Sequence, residues 1–139
     1  MANAPHNWLK AAIEAASAGV YAWPVEMTGQ GDPPYVIYTR EQTERQPLLS
    51  DTLDYSPGMN ELPPVARFEV VVYADSYVEA WEIAGLIAAA IHRFKGSEHG
   101  ETIHECQVVD ERDGDAGYLE GREQPTYTVE MAVEIRYEE

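Results

Sequence analysis

Across residues 67–95 the hydrophobic period of the chain changes from two to nearly four, and no other feature constrains the fold as tightly. Phe68, Val70, Val72 and Ala74 alternate with Arg67, Glu69, Val71 and Tyr73, the pattern of a strand with one well-buried face. Ser76 and Glu79 then stand at capping-box spacing, a hydroxyl placed to accept from an early helical N–H and a carboxylate placed to reach back, so a helix is expected over residues 76–95. Trp81, Ala84, Ala88 and Ile91 mark one stripe and Ile83, Ile87 and Phe94 a neighbouring one. With Ala80, Leu86, Ala89 and Ala90 between them, few positions require water, and the helix is expected to be covered on more than one side. Arg93 and Lys95 suit the negative end of the helix dipole, and Gly96 is expected to supply the left-handed cap.

The rest of the chain is read around this unit. Its 139 residues suit one domain, 1–139, large enough to bury a core without disulfide or metal staples. Residues 3–18 read as a first helix with Asn3 as cap, Pro5 in the first turn, Trp8, Leu9, Ala12, Ile13 and Ala16 on one face, and Gly19 at its end. After a Gly/Pro-rich passage at 28–34, residues 35–39 form a strand. Residues 40–64 are polar and broken by Pro47, Pro57, Gly58, Pro63 and Pro64, and are expected to be a long loop of a kind that is functional, disordered or a hairpin arm. Residues 96–102 read as a turn and 103–109 as a strand, with Thr102, His104, Cys106 and Val108 on one side and Ile103, Glu105, Gln107 and Val109 on the other. Residues 110–125, with Gly114, Gly117 and Gly121 among charges, read as an exposed hairpin tip or mobile loop. Residues 126–137 show the clearest alternation, with Tyr127, Val129, Met131, Val133, Ile135 and Tyr137 facing one way. The expected fold is α+β: an antiparallel or mixed sheet of about four strands with two helices packed on one face, the other face solvated, and open edges suited to pairing between subunits.

The order of elements carries a resemblance. A helix, a strand led by Pro34-Tyr35-Val36, a strand ending in Tyr73-Ala74-Asp75-Ser76-Tyr77, an apolar helix and a closing strand together resemble the tail-completion, or tail-terminator, proteins of long-tailed bacteriophages and prophages, over about residues 9–137. The resemblance implies a helix-on-sheet fold that closes into a hexameric ring at the head-proximal end of the tail tube. Its partners would be further copies of the chain, the tail tube protein and the head connector protein, in the virion tail after assembly in the host cytoplasm. It implies no reaction, no catalytic residue and no cofactor. The stretch at 40–64 is longer than the family leads one to expect between these strands.

Charge excludes some functions. A formal charge of −16 argues against direct or sequence-specific binding to nucleic-acid phosphates, which requires a basic surface. From Glu98 onward thirteen Asp and Glu stand against Arg112, Arg122 and Arg136, a concentration that suits a solvated face or, in a ring, the wall of a channel through which DNA slides without sticking. Cys106 is the single cysteine, so no intramolecular disulfide or thiolate-only zinc site is possible, and it is expected to be a small core or sheet-face residue and not an activated thiolate. Residues 1–7 have no basic region followed by an apolar core and the run at 83–91 is too short to span a bilayer, so neither secretion nor membrane insertion is expected.

Candidate chemistry is sparse. Glu98, His99, Glu101, His104, Glu105 and Cys106 bring imidazole and carboxylate together in sequence, but at no spacing that closes a metal site. Asp110, Asp113, Asp115 and Glu120 lack the order of a calcium loop. There is no Gly-x-Ser-x-Gly, Gly29 and Gly31 precede prolines instead of opening a helix, and Trp8, Trp23 and Trp81 read as packing residues. An enzyme is not expected. What remains is interaction, assigned to the two loops: Arg40, Arg45, Tyr55, Met59 and Leu62 in the first, where Tyr55, Met59 and Leu62 either anchor on a partner or pack back on their own domain, and Glu111, Arg112, Asp113, Asp115 and Glu120 in the second. The alternatives are an acidic module that mimics DNA or inhibits a protein, and a small metal-dependent enzyme built on His99 and His104.

Overall fold

The computed structural model describes residues 4–17, 20–24, 34–44, 64–114, 117–118 and 125–138, and over these it sets two helices against one face of a sheet. Helix α1, Ala4–Ala16, turns Trp8, Leu9, Ala12 and Ile13 into the core, the stripe expected from their spacing. Strand β1, Tyr21–Pro24, runs parallel to β2, Tyr35–Glu44. The sequence reading assigned no strand at 21–24, because four residues between a glycine and a proline show no period.

Strand β2 pairs antiparallel with β3, Val65–Ala74, from Tyr35 opposite Tyr73 to Glu44 opposite Val65, with a register shift between Arg40 and Gln42. Arg40 to Glu44 therefore belong to a strand and not to the expected loop at 40–64, whose remainder lies mostly outside the described residues. Glu41, Gln42 and Thr43 are exposed and bury nothing; backbone pairing to β3 extends the strand, and a hydrophobic pattern cannot register that.

Helix α2, Tyr77–Ile91, is capped by Ser76, whose Oγ accepts from the Glu79 N–H at 3.1 Å. It ends at His92, short of the expected Lys95. The left-handed residue is Arg93, at φ 65°, and Gly96, although also at positive φ, opens strand β4, Gly96–Glu98. The reason is competition for the backbone: the Arg93 N–H donates to the Cys106 carbonyl at 2.7 Å and the Cys106 N–H to the Phe94 carbonyl at 3.1 Å, so the chain leaves the helix to join the sheet.

Strand β4 forms a hairpin with β5, Glu101–Asp113, through His99 and Gly100, both at positive φ as a twisted two-residue hairpin turn requires. The turn expected at 96–102 is thus narrower, and β5 runs past Val109 into the expected acidic loop. Register shifts between Ile103 and Glu105 and between Val108 and Asp110 undo the expected alternation. Ile103, Cys106 and Val108 all pack into one core, although strict alternation places Ile103 opposite the other two. Strand β6, Gly117–Tyr118, pairs with the start of β7, Pro125–Tyr137.

The strand order is β1-β2-β3-β7-β5-β4, with β6 also on β7. Since β3 and β5 are each antiparallel to β7, they run parallel to each other and need a crossover; α2 is that crossover, and β7 fills the slot it leaves. The four long strands β2, β3, β7 and β5 are the four the sequence pattern suggested, and the α+β class with both helices on one face holds. The core lies between sheet and helices: Phe68, Val70 and Val72 of β3 and Val129, Met131, Val133 and Ile135 of β7 meet Ala80, Ile83, Ala84, Ile87 and Ile91 of α2. Each fully buried Val, Ile, Met or Phe contributes about 1.5–3 kcal/mol.

Candidate interaction surfaces

Of the residues singled out for interaction, Arg40, Glu111, Arg112 and Asp113 fall among the described residues. Arg40 is half-buried, its Nη2 donating to the Tyr137 hydroxyl at 2.9 Å and its guanidinium carbon 6.0 Å and 5.8 Å from the ring centres of Phe68 and Tyr137. His6 of α1 lies edge-on to Phe68 at 5.0 Å, and burial, helped by the charge of Arg40, lowers its pKa. Glu111, Arg112 and Asp113 lie on β5 and are exposed. Arg45, Tyr55, Met59, Leu62, Asp115 and Glu120 lie outside the described residues.

The open face of the sheet is a charged ladder with an aromatic end. Arg67 of β3 pairs with Glu134 of β7 at 3.1 Å, and Arg112 of β5 bridges Asp110 at 2.8 Å and Glu130 at 3.1 Å. Exposed pairs of this kind are screened by water and add little to stability. Glu69 sits among these charges, and partial burial, with Glu130 and Glu41 close by, raises its pKa. Toward β2, Tyr35 and Tyr73 stack at 4.8 Å, and Tyr35 and Ile37 are buried, so this end of the face is not solvated as expected.

The outer side of α2 departs furthest from expectation. Helix α2 packs against α1, β3, β7 and β5, but Val78, Glu82, Leu86 and Ala89 remain exposed. The large apolar side chains exposed among the described residues are Tyr77 (52%), Val78 (66%), Leu86 (54%) and Val109 (52%), all on α2 and β5. Beside them, Trp81 Nε1 donates to Asp113 Oδ1 at 2.8 Å and the Tyr77 hydroxyl to Asp113 Oδ2 at 3.3 Å, while His92 Nδ1 accepts from the Val108 N–H at 3.0 Å. These bonds tie β5 to both ends of the helix, and between them lies a cleft of about 390 Å³ lined by Ala88, Ala89, His92, Val108 and Glu111. The signal was in the sequence. Val78, Glu82, Leu86 and Ala89 recur at helical spacing on the side opposite Ala80, Ile83, Ala84 and Ile87, but high overall hydrophobicity hid which side was free.

Nothing in the described residues gathers a metal: no three or more His, Cys, Asp or Glu converge as ligands, His99 lies 3.9 Å from Glu98, and His104 sits at the first irregularity of β5. Cys106 is fully buried, and loss of solvent, with Glu105 nearby, pushes its thiol up to about 12. No described helix is long and apolar enough to cross a membrane.

No family model matches this chain, and no curated protein matches it. Among solved structures, a chain from the virion of a native gene transfer agent particle has a similar fold, with a TM-score of 0.52, 13% sequence identity, and coverage of 94% of this chain and 84% of that one. At that identity the likeness is one of fold.

Proposed function

We propose that this protein is a structural subunit of a phage-like virion that closes into a ring, caps the tail tube and offers a joining surface to the head connector. The observation that carries the reading is the fold shared with a virion chain over 94% of this chain. The order of elements, which resembles that of tail-terminator proteins, refines it to a position in the tail. A sheet with edge strands β1 and β4 at its ends is suited to extension from one copy to the next, which a closed ring requires. Weak contacts between single copies would be strengthened on the growing tube by repetition around the ring. The partners in this reading are further copies of the chain, the tail tube protein and the head connector protein, in the host cytoplasm during assembly and in the virion tail afterwards. The role is steric and interfacial, with no reaction.

Deleting the gene from its phage or prophage tests this. Electron micrographs of the induced lysate should show filled heads and separate tails, often of abnormal length, because nothing stops tube growth or presents a joining surface. Normal infectious particles from a clean deletion would overturn the assembly role.

A further inference from the structure

We propose that the outer flank of α2, together with the exposed end of β5, is a docking site for a basic amphipathic segment of a partner protein, and not for a second copy of this chain. The inference goes beyond the ring reading and does not depend on it. Tyr77, Val78 and Leu86 are more than half exposed on α2, Tyr77 and Val78 line a hollow with Trp81 and Glu82, and Val108 of β5 lines the cleft beside the helix end, so the apolar side chains of this flank stand open to a partner. Val78, Leu86 and Ala89 lie along the free side of the helix, and the Glu111 cleft runs beside them, so the surface has both a ridge and a hollow.

Charge selects the occupant. Glu82 stands between Val78 and Leu86, Glu111 lines the cleft, and Asp113 lies at the helix start beside Tyr77 and Trp81. Arg112 is committed to Asp110 and Glu130, and Arg93 and Lys95 lie past the helix end, so among the described residues no Lys or Arg pairs with the acids along the flank. A second copy, with 25 Asp and Glu against 9 Lys and Arg, would set acid against acid. A helix or strand with apolar teeth flanked by Lys or Arg satisfies both components, since apolar contact supplies affinity and opposite charge sets the register and speeds the encounter.

The probe is a synthetic 14-residue amphipathic helix of Leu and Lys, compared with a Ser/Lys peptide of equal charge, with amide chemical shifts and binding isotherms as readouts. The Leu/Lys peptide should shift amides within residues 77–92 and 108–113 and bind at least tenfold tighter than the Ser/Lys control. Leu86→Asp should weaken it tenfold or more even though it adds an attractive negative charge, and Glu111→Lys should weaken it as well. Leu86→Ser repeats the test without a change in charge, and unchanged melting of each variant shows that the fold is kept. Shifts spread over the open face of the sheet, or equal or tighter binding to Leu86→Asp, would overturn the site. Sedimentation showing that the free protein self-associates through this flank, and that Leu86→Asp abolishes it, would assign the flank to a second copy and overturn the partner.

Discussion

At Arg93 the backbone stands at φ 65°, a left-handed conformation that costs a residue with a side chain about 1–2 kcal/mol. It is held there by the bond from its N–H to the Cys106 carbonyl. Glycine adopts this conformation freely but loses more backbone entropy on folding, so Arg93→Gly should raise stability by roughly 0.5–1 kcal/mol, read from urea unfolding. A loss of stability would mean that the Arg93 side chain matters more than its backbone. His6 makes a pH-dependent contribution of known sign. Burial first, and the charge of Arg40 second, lower its pKa below the ordinary 6.5. The folded protein therefore binds that proton less readily than the unfolded chain, and stability should fall as pH drops through about 6.5. His6→Gln should flatten that part of the stability profile, while an unchanged profile would show that His6 is solvated in both states.

Helix α2 offers a test at the level of an element, since adjacent residues on it meet opposite environments. Ile87 is fully buried against the sheet and Leu86 is more than half exposed. Ile87→Asp leaves an unpaired carboxylate in the core and should cost roughly 3 kcal/mol or more, whereas Leu86→Asp should change stability by no more than about 0.5 kcal/mol. Equal losses in thermal melts would mean that the outer flank is covered in the free protein. A sequence can say that this helix is apolar almost all round. Only the placement of β3, β7, β5 and α1 against it decides which residues stay in water.

For the molecule as a whole, strand β7 is the organising element, because it bonds to β3, β5 and β6 although it comes last in the chain. The sheet cannot close until it arrives, so opening should be most costly at its centre. Native-state hydrogen exchange should find the slowest amides in β3 and the middle of β7, and faster ones in β1 and β4, which among the described residues each pair on one side only. Protection in β4 equal to that in β7 would show that its edge is covered.

The period-two runs at Phe68 to Ala74 and Val129 to Tyr137, the Ser76 cap and the stripe from Trp8 to Ile13 made the main strands, both helices and the helix-on-sheet class legible before any coordinates, because each is a local pattern imposed by burying one face. The extension of β2 through Glu44 and of β5 through Asp113, the addition of β1, and the alignment of Ile103 with Cys106 were not legible. They depend on backbone hydrogen bonds to strands far away in sequence and on register shifts that change which way a side chain points. The candidate site divides the same way. Composition shows an acidic chain with apolar residues to spare, but the placing of Val108 and Glu111 beside Ala88, Ala89 and His92 follows from the crossover that brings α2 beside β5, and that is decided by tertiary structure alone.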